Sequence, residues 1–222
     1  MRFLLVHSPA VGPSTWRWVA DALRSRGHEA IVPDLVAAAL TGDPAVVARS
    51  AAEATGGDGE VVVVGHSAAG SILPVVAGLA PKVRRSVFVD ASVPPCEGTC
   101  SAGGDFLAAL EGLATDGTLP VWSQWWGEGV LQTLVADDAR RDEIAEEMPA
   151  LPLAFFEAPI ALPTGWCAGA GGFLLLSEFY RTDATKAADR GWPVVERPGG
   201  HLDIVNHEEA IADILVGLAD RG

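Results

Sequence analysis

The run Val61-Val62-Val63-Val64-Gly65-His66-Ser67-Ala68-Ala69-Gly70 constrains this chain more than any other stretch: four β-branched residues lead straight into a Gly-x-Ser turn that opens a helical pattern. A continuous apolar run of this length, bounded by Gly, reads as a buried parallel strand, and the small residues after it permit a sharp strand-to-helix turn. In such a turn a serine hydroxyl projects above the sheet, and the backbone N–H groups beyond it point at whatever the hydroxyl attacks. Ser67 is therefore the first candidate nucleophile. The usual pattern has Gly two positions after the serine; Ala69 stands there, with Gly70 one place later, and alanine is small enough to be a tolerated variant.

The rest of the chain repeats strand and helix in alternation. Strands are predicted at 3–6, 30–32, 61–64, 86–89, 173–176 and 193–196. Trp16, Val19, Ala20 and Leu23 fall at i, i+3, i+4 and i+7 of a helix closed by Gly27, and residues 44 to 55 form an Ala-rich helix. The helix after Ser67 is expected to bury Ile72, Val75, Val76 and Leu79, with Pro74 kinking it or shortening its start. A helix runs from about Phe179 to Arg190, capped by Gly191. The closing helix is expected to take Asn206 as N-cap, with Glu209 completing a capping box. Between Pro94 and about Thr164 the alternation stops: this segment is rich in Pro, Gly and Trp, carries a charged helix at Asp137 to Met148 whose face is expected to be solvated, and reads as an insertion. At 222 residues and 49% hydrophobic the chain can bury one large core, so a single domain, 1–222, with an insertion at about 94–164, is expected.

Alternation of this kind implies a parallel sheet covered on both faces, with ligands at the carboxyl ends of its strands. Four polar clusters fall there: His7-Ser8, Ser67, Asp90 and His201. A serine hydroxyl needs a base, and the base needs an acceptor that fixes its tautomer. His201, in a Gly-Gly-His turn whose missing side chains would let the imidazole approach, is the expected base. His66 adjoins the nucleophile and is expected to point elsewhere, His28 lies in a turn, His207 begins a helix, and His7 is read as structural. Asp90, ending its strand, is the preferred acid and Glu178 the alternative; Glu157 and Asp203 are outside candidates. A tetrahedral intermediate needs two hydrogen-bond donors. The N–H of Ala68 is one; the other would come from the loop after the first strand, where Pro9 offers no N–H and Ala10, Val11 or the Ser8 hydroxyl would have to serve.

Charge and cysteines narrow the setting. Fifteen Lys and Arg against 29 Asp and Glu give −14, which repels phosphate backbones and anionic membranes, so neither nucleic acid nor membrane is an expected partner. His66, Ser67, Ser71 and Pro74 interrupt the weakly polar window 61–80, and only four apolar residues follow Met1-Arg2, so a cytoplasmic protein is expected. Cys96, Cys100 and Cys167 are read as reduced thiols, with a Cys96–Cys100 bridge as the alternative. No Lys-bearing phosphate loop and no metal-ligand spacing occurs, so no cofactor and no metal are expected. The expected partner is a small-molecule substrate; a homodimer is left open.

The His7-Ser8-Pro9 run through Trp16, the Gly-His-Ser-Ala-Ala-Gly turn, the Val-Phe-Val-Asp strand and the Gly-Gly-His turn together resemble the α/β-hydrolase fold superfamily over essentially the whole chain. The resemblance is to its small cofactor-free branch of plant-type esterases and hydroxynitrile lyases. It implies Ser67 as nucleophile, His201 as base and the His7-Ser8-Pro9 loop at the oxyanion site. The chain departs from the pattern at Ser8, where Gly is frequent, at Ala69, and after 173–176, where no clear Asp follows; the usual leading antiparallel hairpin is missing. The insertion would then be a cap, and Trp122, Trp125, Trp126, Phe155, Phe156 and Trp166 in or beside it suit an apolar or aromatic acyl substrate or pack the cap itself, with Ser8, Trp122 and Trp126 the expected substrate contacts. The favoured function is hydrolysis of a carboxylic ester, thioester or lactone through an acyl-enzyme on Ser67. A lyase or cyclase of secondary metabolism using Ser67 and His201 as acid and base is the alternative, and a catalytically silent binding fold is the third reading.

Overall fold

The computed structural model describes residues 1–127 and 129–220. Six strands, β1 (Arg2–Val6), β2 (Glu29–Ile31), β3 (Val61–Ser67), β4 (Val83–Ala91), β7 (Gly171–Leu175) and β8 (Val194–Glu196), form one sheet in the order β2-β1-β3-β4-β7-β8. Every pairing within it is parallel. The apolar runs behave as their composition requires: β3 is buried along its whole length and β1 from its second residue onward. The chain steps from β1 outward to β2 and then back past β1 to β3, so the loops leaving β1 and β3 diverge. Such a reversal opens a crevice at the carboxyl edge.

Helices α1 (Ser14–Ser25), α2 (Val36–Ala39), α3 (Pro44–Ala54), α4 (Leu73–Leu79), α9 (Arg181–Asp189), α10 (Asp203–Asn206) and α11 (Glu208–Asp220) cover the sheet. Trp16, Val19, Ala20 and Leu23 of α1 are all fully buried, and each large apolar side chain so placed stabilises the fold by roughly 1.5–3 kcal/mol. Asp43 caps α3 by accepting from the Ala45 N–H, with Pro44 in the first turn. Pro74 acts as its chemistry dictates: the segment after Ser67 begins as a 3₁₀ turn, Ala68–Ile72, and becomes α-helical only at Leu73. Leu79, expected in the core, is instead 51% exposed at the end of that helix. The expected capping box at α11 does not form, because Asn206 ends α10 and its side-chain amide donates to the Leu134 carbonyl, 2.7 Å away.

Between β4 and β7 the chain builds β5 (Thr99–Cys100), α5 (Gly104–Leu113), α6 (Val130–Leu134), α7 (Asp138–Glu147), α8 (Ala154–Glu157) and β6 (Ile160–Ala161). β5 and β6 pair antiparallel and close the base of this insertion. The three cysteines are not all reduced, and the bridge is not Cys96–Cys100: Cys96 bonds to Cys167, and Cys100 is the free thiol. The physical reason is topological. Cys96 follows β4 and Cys167 precedes β7, and those strands are sheet neighbours, so residues 71 apart in sequence meet with Cα atoms 5.3 Å apart. The charged helix α7 buries Ile144 alone, yet it is more than a solvated face. Glu147 accepts from the Ser14 N–H at the start of α1, and Arg140 forms a paired salt bridge with Glu208 of α11.

Candidate active site

Ser67 ends β3 with φ 60° and ψ −130°, a backbone conformation that costs a non-glycine residue on the order of 1–3 kcal/mol. The sheet holds it there. Its carbonyl accepts from the Ser92 N–H at 3.2 Å, and the residues that follow run tight against the end of β4. A Cβ on Gly70 would lie 2.2 Å from the Ser92 carbonyl oxygen, so the close approach falls at Gly70, and Ala69, buried one position earlier, meets no such demand.

Asp90 owes its orientation to an irregularity in the same ladder. His66 pairs with Val89 and Ser67 with Ala91, leaving Asp90 as an extra, unpaired residue with φ 42°. A bulge of this kind re-aims a side chain. The Asp90 carboxylate, fully buried, accepts from the Leu176 N–H (2.9 Å) and the Ser177 N–H (2.8 Å) at Oδ1, and from the Ser177 hydroxyl (2.6 Å) and His201 Nδ1 (2.7 Å) at Oδ2. Burial works against its charge, but the hydrogen bond from and electrostatic interaction with His201, together with the bonds from Ser177, outweigh that and hold the carboxyl below the usual carboxylate range. With Nδ1–H given to Asp90, the other ring nitrogen of His201 is the acceptor. Glu178 makes no such contact: its carboxylate is exposed and paired with Arg181. Glu157 is exposed on α8, and the buried Asp203 accepts from Arg197. That last contact also corrects the reading of the Gly-Gly-His turn. A Cβ on Gly199 would sit 2.0 Å from Asp203 Oδ2, so the missing side chain makes room for a carboxylate rather than for the imidazole.

Two further histidines support this edge without facing the cavity. His66 lies under His201, rings stacked with centroids 4.4 Å apart, and its Nε2–H donates to the His201 carbonyl at 2.9 Å. Burial, with the neighbouring His201, lowers its pKa strongly, so it stays neutral. His7 bonds the Ser8 carbonyl through Nδ1 and accepts the Leu35 N–H at Nε2, tying the loop after β1 in place as expected of a structural residue.

In that loop the Ser8 carbonyl also takes the Val11 N–H, which removes Val11 as a free donor, while the Ala10 N–H has no partner among the described residues. A cavity of about 630 Å³ opens over the edge. Ser67, Ala68, His201, Ser8 and Ala10 line it from the sheet side; Pro9 does not, and having no N–H it can donate nothing. From the insertion come Trp122, Trp125, Trp126 and Phe156. Phe155 packs edge-on against Phe156, and Trp166 packs on Trp192 and Phe88, so both lie outside the cavity wall. The sequence reading missed Phe106, Phe179 and Tyr180. The last matters most: its hydroxyl lies 3.2 Å from Ser67 Oγ, and its ring stacks on His201 at 5.4 Å. Among the described residues Tyr180, not His201, is the hydrogen-bond partner of Ser67 Oγ. Among the same residues no three His, Cys, Asp or Glu side chains group to hold a metal ion, and no helix is long and apolar enough to cross a membrane.

Residues 3–214 match the model of the alpha/beta hydrolase family. The chain belongs to that family. It is 26% identical, over 242 residues of alignment covering 97% of this chain and 98% of the relative, to a carbendazim hydrolyzing esterase of Nocardioides sp. (strain SG-4G). Among solved structures it is similar to an extracellular alpha/beta-hydrolase from a Paenibacillus species (TM-score 0.79, 19% identity, 98% of each chain). It is also similar to polyneuridine aldehyde esterase (0.76, 17%, 99% of each) and to a pyrethroid hydrolase from Sphingobium faniae JZ-2 (0.73, 16%, 100% of this chain and 98% of that one). The alpha/beta hydrolase fold expected from the motifs is thus the fold observed, and this chain is an enzyme of that type.

Proposed function

We propose that this hydrolase cleaves carboxylic esters, or thioesters or lactones, of small apolar or aromatic substrates through an acyl-enzyme on Ser67. The observation that carries the reading is a serine held at positive φ and a histidine paired with a buried aspartate, Ser67 and His201 both lining one aromatic-walled cavity and Asp90 lying beneath it. Ser67 Oγ attacks the ester carbonyl while His201 Nε2 takes its proton; Asp90 keeps the ring in the required tautomer and stabilises the imidazolium. The oxyanion is received by the N–H groups of Ala68 and Ala10. The leaving alcohol takes the proton from His201, and water then repeats the sequence to release the acid. The insertion acts as the cap, with Trp122, Trp126 and Ser8 touching substrate. The 26% identity to a carbendazim hydrolyzing esterase supports an ester-type substrate. The Cys96–Cys167 bridge favours an oxidising compartment over the expected cytoplasm.

One observation favours lyase or cyclase chemistry instead: Pro9, in the loop after β1, has no N–H to offer an oxyanion and does not line the cavity. A series of p-nitrophenyl acetate, butyrate and benzoate decides between them. The hydrolase reading expects turnover that falls by at least about 10³-fold in Ser67→Ala. It is overturned if no ester is hydrolysed while a substrate lacking an acyl group is converted.

A further inference from the structure

We infer that the Tyr180 hydroxyl is a catalytic hydrogen-bond donor to Ser67 Oγ, acting on the step in which Oγ leaves the acyl group; the inference rests on the hydrolase reading above. Tyr180 is buried, lines the cavity beside Ser67 and His201, and has no hydroxyl partner other than Ser67 among the described residues. Of the two hydroxyls the phenol is the stronger acid and the alkyl alcohol the better acceptor, so the bond runs from Tyr180 to Ser67. Burial raises the phenol's pKa further, so it donates without giving up its proton. This arrangement also leaves the Ser67 proton free to turn toward His201.

Strand order fixes which task the donor can perform. β1, whose loop carries Ser8 and Ala10, flanks β3 on one side; β4 and then β7, which leads into Ser177–Tyr180, lie on the other. Tyr180 therefore stands with the acid and base and cannot replace the donor that Pro9 lacks on the oxyanion side. The same four residues serve two partners: Ser177 holds Asp90 and Tyr180 holds Ser67.

An interaction accelerates a step only where it is stronger in the transition state than before it. In the free enzyme Ser67 Oγ is an alcohol oxygen and already accepts well, so attack gains little from Tyr180. In the acyl-enzyme Oγ is an ester oxygen conjugated with the carbonyl and accepts poorly. During deacylation water adds to the acyl carbon as His201 takes its proton. The tetrahedral intermediate then collapses: the C–Oγ bond breaks, its electron pair passes to Oγ, and the proton returns from His201 Nε2 to Oγ. Relative to the ester oxygen of the acyl-enzyme, Oγ becomes a much stronger acceptor as it departs, and the Tyr180 O–H meets it while keeping its own proton. Loss of one such neutral bond should slow that step by about tenfold.

Tyr180→Phe removes the hydroxyl and keeps the ring against His201. In stopped-flow hydrolysis of p-nitrophenyl butyrate, nitrophenol released in the burst reports acylation and the steady state reports deacylation. The variant should acylate within threefold of wild type, deacylate at least about tenfold more slowly, and carry a butyryl adduct on Ser67 by intact mass. Labelling of Ser67 by a fluorophosphonate, which needs attack but no departure of Oγ, should stay within threefold. Equal slowing of both phases, an unchanged deacylation rate, or a large loss of labelling each overturns the assignment. A wild-type protein that neither releases nitrophenol nor is labelled overturns the hydrolase reading itself, a result distinct from any of these.

Discussion

Asp90 is fully buried and receives four hydrogen bonds, whereas Trp126, at the cavity, leaves 48% of its surface in solvent and packs its ring face against Phe106 and its edge against Phe179. The two regions hold their side chains by different physics. At the sheet edge the backbone is committed first: a bulge at Asp90, a positive φ at Ser67, and neighbouring strands that supply donors at fixed spacing. In the insertion, short helices and two-residue strands are organised by packing of rings and by one disulfide across the base. Directional bonds tolerate little displacement, while dispersion contacts between rings are individually weak and can re-form after a shift. Changes at the edge should therefore appear in kcat, and changes in the insertion in KM and substrate choice.

The sharpest way to break that comparison is at Asp90, the proposed acid. Asp90→Asn keeps the size and loses the charge that fixes the His201 tautomer, and kcat for p-nitrophenyl butyrate should fall by about 10³-fold or more; Glu178→Gln should stay within twofold. A large loss in Glu178→Gln with Asp90→Asn near wild type would move the acid to Glu178. Next in size is the disulfide. Replacing Cys96 and Cys167 by Ser opens a loop of 71 residues and should lower unfolding stability by about 2–4 kcal/mol in urea titration. Because the bridge ties only the base of the insertion, a pair of variants with unchanged stability would show that β5, β6 and ring packing close it unaided. The smallest effect belongs to the wall. Trp122→Ala should raise KM for p-nitrophenyl benzoate by roughly tenfold and for the acetate by no more than about twofold, with kcat nearly constant. A comparable loss of kcat on both esters would place Trp122 in the chemistry of the edge, which its ring contact with His201 at 6.1 Å makes worth measuring.

Much of the sheet edge was legible in the sequence because its signals are local. Apolar runs end at Val6, Val64, Val89 and Leu176, and the polar residues beyond them had to surface at one edge. Asp90 stood out as the residue terminating a strand, although the bulge that aims it depends on its pairing with β3 and has no local signature. Tyr180 had none either: it follows a strand through a short 3₁₀ turn and meets Ser67 from 113 residues away. The cysteine pairing was hidden for a similar reason, since Cys96 and Cys167 bracket an insertion whose ends meet only because β4 and β7 are neighbours. At Asn206 a correct local pattern lost to a tertiary one, the Leu134 carbonyl reaching the amide from the insertion. Glu147 and Arg140 likewise turned a charged stripe into contacts with α1 and α11.

The account stands most directly on covalent trapping of Ser67. Treatment with an alkyl fluorophosphonate followed by intact-mass and peptide mapping should give one adduct per chain, on Ser67, lost in Ser67→Ala and formed at least about 10³-fold more slowly in His201→Ala. An unlabelled wild-type protein, or an adduct that maps to another residue, would contradict it.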